Sequence, residues 1–289
     1  MDLFLIPERF RRWIPLILSI ISGGIGGILG WMIIPSFPIL ASAFGFTFGF
    51  LYMMLFVSLL VYFFSSRAEA INSQFNHLNK QIYETKRELR SMVNIRPLLR
   101  RNLVPFGDWA IDGQFGETLI GLVQEKRPKL AIECGSGTST VLIACLLKRM
   151  ECGKIVALEH LEKYASVNRK RLENGNLDSV ATIIETPLRE WILNENKQLW
   201  YDFEPAAHLK RSIDMLIVDG PPGNTGPLAR YPAVPILREW ISPGGVIVLD
   251  DTNRDDEQEI AKQWINELNA TAEFHPEGKG ICIMQLPKR

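Results

Sequence analysis

The chain has 289 residues, 47% of them hydrophobic, and its 32 Lys and Arg balance 32 Asp and Glu. That length supports one sizeable core with material to spare. No basic stripe or basic excess is evident, which predicts no nucleic-acid partner, because phosphate contacts dominate that kind of binding. The four cysteines, Cys134, Cys145, Cys152 and Cys282, form no CxxC pair and have no His at zinc-ligand spacing, so they read as thiols of a reducing compartment.

No charged residue lies between Arg12 and Arg67. The run is far longer than the roughly 20 residues one spanning helix needs, and Pro35 to Pro38 break it in two. This predicts a helical hairpin, with transmembrane helices over about 13–35 and 38–64. A cleaved signal has an apolar region of about 7 to 15 residues, much shorter than this one. Small residues four apart, such as Gly23 with Gly27 and Gly45 with Gly49, suit close helix packing. Arg9, Arg11 and Arg12 precede the first span and Arg67 follows the second. By the positive-inside rule, the expectation is an integral protein of a bacterial-type inner membrane, with both termini and the following domain in the cytoplasm.

From Ile71 the apolar positions Ile71, Phe75, Leu78, Ile82, Leu89 and Met92 keep steps of three and four, interrupted only at Thr85. A helix with a narrow apolar seam is expected. The seam pairs two chains as a coiled-coil homodimer over 71–92, or packs on the domain that follows. The predicted division is a membrane anchor over 1–66, an amphipathic or coiled-coil linker helix over 67–101, and a third part over 102–289.

In that third part, short apolar runs alternate with helical segments. KLAIEC, KIVALE, VATIIE, DMLIVD and GVIVLD read as five buried parallel strands, and Ser139 to Met150, Leu161 to Asn174 and Asp256 to Leu268 as helices between or after them. TAEFH and GICIMQL, joined by PEGKG, read as a closing antiparallel hairpin. The expectation is an open α/β sheet built from βαβ units.

IECGSGTST, Ile132 to Thr140, leaves the first strand and enters the first helix. In open α/β sheets ligands bind outside the carboxyl ends of the strands, where helix amino termini gather. Gly135 and Gly137 permit a sharp turn and close backbone approach. Glu159 ends the second strand, where a carboxylate accepts from a ribose diol. A nicotinamide site would carry G-x-G-x-x-G, but Thr140 stands at the third glycine position. Glu133, just before the turn, is poorly placed beside a pyrophosphate and suits a cationic amino-acid moiety, as in S-adenosylmethionine.

IECGSGTST, followed by ALEH, MLIVDGPPG and GGVIVLDD, resembles a class I S-adenosylmethionine-dependent methyltransferase from about Pro105 to the C-terminus. The match at Glu133, Gly135 and Gly137 departs at Ser139, where a third glycine is frequent. The resemblance implies a Rossmann-like, mostly parallel sheet with a reversed final strand. It also implies that Glu133 and the turn Gly135, Ser136, Gly137, Thr138 and Ser139 hold the methionine end, and that Glu159 holds the ribose. His160, Leu188 and Asp219 complete the expected cofactor set, with the chain at Thr186 to Leu188 flanking the adenine.

Methyl transfer is an in-line displacement that needs an aligned acceptor and, for a hydroxyl, a proton acceptor. Asp219 and Asp250, at the ends of the fourth and fifth strands, and His275 are the catalytic candidates. Asp219, Asp250 and Asp251 form a candidate site for a divalent cation such as Mg, a placement similar to that in metal-dependent O-methyltransferases of the catechol type, with Asp251 where those have Asn. Their alternative role is capping of the next loop and helix. Arg230 and Tyr231, in the Gly/Pro-rich loop Asp219 to Pro232, and Trp109 are substrate-facing candidates. The expected function is a membrane-anchored S-adenosylmethionine-dependent methyltransferase, O-methylating a small-molecule, glycan or lipid-linked acceptor. Two alternatives stand beside it: a non-catalytic membrane scaffold with the same fold, and an NAD-dependent oxidoreductase.

Overall fold

The computed structural model of the protein describes residues 38–99, 111–206, 208 and 210–288. The predicted first span, Arg9, Arg11, Arg12 and Trp109 lie outside the described residues. The chain divides into two compact units between Gln81 and Ile82.

Helix α1, Pro38–Ile95, runs through that division without a break. The polar onset at Arg67 does not end it, because no Pro or Gly interrupts the run from Phe50 to Arg96 and helix propensity carries across the change of polarity. Pro97 disfavours helical geometry at the residue before it, and α1 gives way to a short 3-10 turn at Arg96–Leu99.

Among the described residues there is one helix long and apolar enough to cross a membrane, by length and composition only. The expected pair of transmembrane helices is therefore corrected: what read as a second span and a separate linker helix is one continuous helix. The integral-membrane localisation with both termini cytoplasmic falls with it, since that topology rested on an even number of spans. The seam residues Ile71, Phe75, Leu78, Ile82 and Leu89 are exposed.

In the second unit the last turns of α1 pack on helix α2, Gly113–Lys126. Ile95 is fully buried, and a Cβ at Gly116 would come within 2.6 Å of its Cδ1. Ser91 Oγ and Asn94 Nδ2 donate to the Glu117 carboxylate at 2.7 and 2.6 Å, and Gly113 N donates to Glu88 Oε1 at 2.6 Å. Asp112 caps α2 by accepting from Phe115 N.

The chain then follows β1 (Leu130–Cys134), α3 (Thr138–Arg149), β2 (Lys154–Glu159), α4 (Glu162–Asn174) and β3 (Ala181–Glu185). After β3 come β4 (Leu188–Leu193), β5 (Asn196–Tyr201) and β6 (Ile213–Val218). The remaining elements are α5 (Ala233–Leu237), β7 (Ile241–Asp250), α6 (Asp255–Leu268), β8 (Thr271–His275) and β9 (Ile281–Gln285).

The main sheet has the order β3-β2-β1-β6-β7-β9-β8. The five strands from β3 to β7 are parallel, and β9 is antiparallel to both β7 and β8. The expected sheet and its closing hairpin are both present. Helices α2, α3 and α4 bury one face around Phe115, Leu142 and Ile155, while α5, α6 and β5 bury the other around Trp200, Tyr201 and Trp264. Burial on both faces explains why the central strands are continuous apolar runs.

One element was not anticipated. β4 and β5 form a separate antiparallel hairpin whose two-residue turn places Asn194 and Glu195 at φ of 49° and 68°, the positive pair that matches strand twist in tight hairpins.

Candidate functional site

From β1 the chain moves outward to β2 and β3, then returns to β6 on the other side of β1. The carboxyl ends of β1 and β6 therefore flank the point where the winding reverses, the usual place for a crevice in such sheets. Asp219 N donates to Cys134 O at 3.0 Å, and Gly135 N to Leu158 O at 2.9 Å, which ties the glycine turn to both neighbouring strand ends. Gly135 has φ of 99°, a conformation that favours glycine. A Cβ at Gly220 would meet Tyr201 Oη at 2.5 Å and Gly135 Cα at 3.3 Å, so the two loops approach as closely as backbone allows. A Cβ at Gly137, in contrast, would meet nothing within 4 Å.

Glu133 is wholly buried at the end of β1. Its Oε2 accepts from Thr140 Oγ1 at 2.5 Å, while its Oε1 has no hydrogen-bond partner. Thr140 Oγ1 also accepts from Gly137 N at 3.0 Å, so one hydroxyl links the acid to the first turn of α3. Burial pushes the Glu133 carboxyl up to about 7, with hydrogen bonds from Ser139 and Thr140 opposing the rise. Ser139, where the motif lacks its third glycine, is buried beside this acid.

Glu159, at the end of β2, accepts from Ser136 Oγ at 2.9 Å, Ser136 N at 3.3 Å and Leu161 N at 3.0 Å. Asn168 Nδ2 donates to Ser136 O and Oγ, both at 3.0 Å, and so fixes the serine from α4. His160 Nδ1 lies 3.3 Å from Glu159 Oε1. Leu188 is partly buried at the start of the β4–β5 hairpin, paired with Tyr201. The turn, Glu133 and Glu159 thus sit together at adjacent strand ends.

The three predicted aspartates converge as well: Asp219, Asp250 and Asp251 each bring a carboxylate oxygen within 4.8 Å of the others. Arg230 lies among them, 3% exposed. Its Nη2 donates to Asp251 Oδ2 at 2.6 Å and Asp219 Oδ1 at 3.2 Å, and its Nη1 donates to the Asp250 carbonyl at 2.9 Å. Glu257 Oε1 of α6 stands 3.6 Å from Arg230 Nε, and Arg254 Nη1 reaches Asp251 at 2.9 Å. Burial, with Asp219 and Asp251 adding to it, pushes Asp250 well above the usual carboxylate range. Asp219 is raised by burial against the pull of Arg230. Asp251 holds a left-handed φ of 60°, which turns its carboxylate back onto the guanidinium.

Other predicted residues are placed elsewhere. Tyr231 donates its hydroxyl to Glu267 Oε1 at 2.6 Å and accepts from Asn194 Nδ2 at 3.0 Å, which ties it to α6 and the extra hairpin rather than to the acids. His275 pairs with Ile281, which pairs with Asp250. The imidazole is therefore level with Asp250 but two strands away, about 10 Å, beside Glu273 at 3.3 Å. Sequence reasoning missed Thr140, Asn168 and Glu257. Thr140, at the third glycine position, was the one with a visible signal: a β-branched hydroxyl seven residues after Glu133.

Residues 132–252 match a family model described as "Methyltransferase domain". No curated protein matches the chain by sequence. Similar solved structures include a methyltransferase from Geobacter sulfurreducens, at 14% identity over 68% of this chain and 88% of that one, with a TM-score of 0.46. The O-methyltransferase from Bacillus cereus in complex with SAH is similar at 19% identity over 69% and 90%, with a TM-score of 0.43. An SAH-bound methyltransferase from Podospora anserina is similar at 15% identity over 68% and 87%, with a TM-score of 0.46.

The cluster at the ends of β6 and β7 does not fit the divalent cation that the three aspartates suggest. Mg requires near-octahedral oxygen ligands at about 2.0–2.1 Å and keeps several waters. Here the guanidinium of Arg230 already stands between the acids and takes an oxygen of Asp219 and one of Asp251.

Proposed function

We propose that the protein is an S-adenosylmethionine-dependent methyltransferase that methylates an oxygen of a small-molecule, glycan or lipid-linked acceptor. The observation that carries the oxygen acceptor is the open face of Asp219. Its side chain is 27% exposed, against 7% for Asp251 and 3% for Glu257, and it follows β6 directly beside the glycine turn.

When bound, S-adenosylmethionine supplies an electrophilic methyl carbon on a sulfonium. Glu133 receives the cationic methionine end, which supplies its unpartnered Oε1 with a donor. Glu159 accepts from the ribose hydroxyls through lone pairs that its bonds to Ser136 and Leu161 leave open. The open space at Gly137 leaves the turn's backbone accessible. Asp219 takes the acceptor's hydroxyl proton, and its raised affinity for a proton makes it the stronger base. Pairing of two chains through the exposed seam at 71–92 belongs to the same proposal, and sedimentation of the purified protein checks it.

The test is to incubate the full chain with S-adenosylmethionine carrying a labelled methyl group and fractionated cell extract. Label appearing on an oxygen of a fraction component supports the reading. Label found only on nitrogen or carbon contradicts the oxygen acceptor, and no transfer to any fraction favours the scaffold.

A further inference from the structure

The acid cluster at the ends of β6 and β7 contains its own cation. Three carboxylates, those of Asp219, Asp251 and Glu257, face the Arg230 guanidinium, with the Asp250 carboxylate beside those of Asp219 and Asp251, and three of these four residues are themselves buried. The guanidinium hydrogen-bonds through Nη1 and Nη2, while Nε has no hydrogen-bond partner. Nη2 bridges Asp219 on one loop and Asp251 on another, Nη1 holds the Asp250 carbonyl, and Nε faces Glu257 on α6. A planar guanidinium can bridge carboxylates on two loops and a carbonyl at once, which a compact ammonium does less well.

Two further features belong to the same arrangement. Asp251 adopts a left-handed backbone conformation and is clasped from the other side by Arg254 at 2.9 Å. The short loop from Asp219 carries Arg230 back to the aspartate that begins it, so Asp219 is held by a residue eleven positions later in its own loop.

We propose that Arg230 is a resident cation standing where a divalent metal would sit between Asp219, Asp250 and Asp251, so that this centre works without a metal and Arg230 positions Asp219 toward the acceptor. The positioning half rests on the methyltransferase reading above; the metal half rests on geometry alone. Arg230 is a positioning residue here, since it touches Asp219 and not the reacting atoms.

The two readings separate in one set of experiments on the full chain. Manganese(II) binding is followed by electron paramagnetic resonance for the wild type, Arg230→Met, and Arg230→Met combined with Asp251→Asn. S-adenosylmethionine binding is measured in the same samples, with thermal melting as the check on folding.

The wild type is expected to show no 1:1 manganese site tighter than roughly millimolar affinity. Arg230→Met is expected to gain a site at least tenfold tighter, and the double variant to lose it. A merely structural arginine would give no such gain. If Arg230→Met does not fold, the wild type decides, with Asp251→Asn as its control. Stoichiometric manganese binding that Asp251→Asn abolishes overturns the proposal, and so does a folded Arg230→Met that gains no site. Where Arg230→Met does not fold, the absence of manganese binding in both the wild type and Asp251→Asn supports it. Failure of S-adenosylmethionine to bind a folded wild type would sink the methyltransferase reading while leaving the metal result to stand.

Discussion

Replacing Glu133 by Gln removes a charge from a fully buried site while keeping its shape. In the folded chain burial raises this carboxyl from 4.5 to about 7. At 1.36 kcal/mol for each pH unit, that rise corresponds to a penalty of about 3 kcal/mol for keeping the group ionised. The folded value lies above the unfolded one, so the protonated group costs nothing extra below about pH 4.5. The penalty then grows as pH rises toward 7 and is constant beyond it. Glu133→Gln should therefore melt with the wild type near pH 5 and above it at pH 8, before any cofactor is added. For a chain of this size each kcal/mol moves the midpoint by about 2–4 °C, so the gain at pH 8 is of the order of 5–10 °C.

The same variant should bind S-adenosylmethionine about tenfold or more weakly at pH 8, because the cationic end loses its carboxylate. Melting curves at the two pH values and calorimetric titration measure both effects. If Glu133→Gln melts below the wild type at pH 8, or by the same offset at both pH values, the buried-charge account of Glu133 is wrong.

Two further perturbations follow from the geometry. Gly220→Ala puts a Cβ 2.5 Å from Tyr201 Oη and 3.2 Å from Cys134 O. It should cost about 1–3 kcal/mol of stability and weaken cofactor binding, read by denaturant titration and calorimetry. Asp219→Asn should leave S-adenosylmethionine affinity within about threefold but lower methyl transfer by roughly 10²–10⁴, so a parallel loss of both would remove Asp219 from the chemistry.

The central strands were legible because burial on both faces demands unbroken apolar runs, and KIVALE and DMLIVD differ by at most a residue at either end from the strands formed. The extra hairpin escaped for the opposite reason. β4 and β5 are largely exposed, with Arg189, Glu190 and Lys197 on their surface, and Glu195 is an unusual residue for a turn of positive φ. The helix expected from Arg67 is present but begins earlier, because polarity and helicity are separate properties: it runs through the change of polarity and ends at Ile95, before Pro97.

At the site, the strand-end argument brought Asp219, Asp250 and Asp251 together although 31 and 32 positions separate the first from the others. Arg230 was read as facing substrate because its Gly/Pro-rich loop has no periodicity that would mark a side chain as inward. Its burial is a tertiary fact, set by the carboxylates of Asp219, Asp251 and Glu257 from three segments. Ile95 and Ser91 make a similar point, since the last turns of α1 pack on α2 although the sequence separates them by an abrupt change of pattern.

The measurement that tests the central claim most directly is calorimetric binding of S-adenosylmethionine to the purified full chain, beside Glu159→Ala. The account predicts saturable 1:1 binding by the wild type and a loss of about ten- to a hundredfold in affinity for the variant, the worth of a hydrogen bond to a charged group. A folded wild type that binds no S-adenosylmethionine, or a variant that binds it equally well, would contradict the assignment of the glycine turn and Glu159 as the cofactor site.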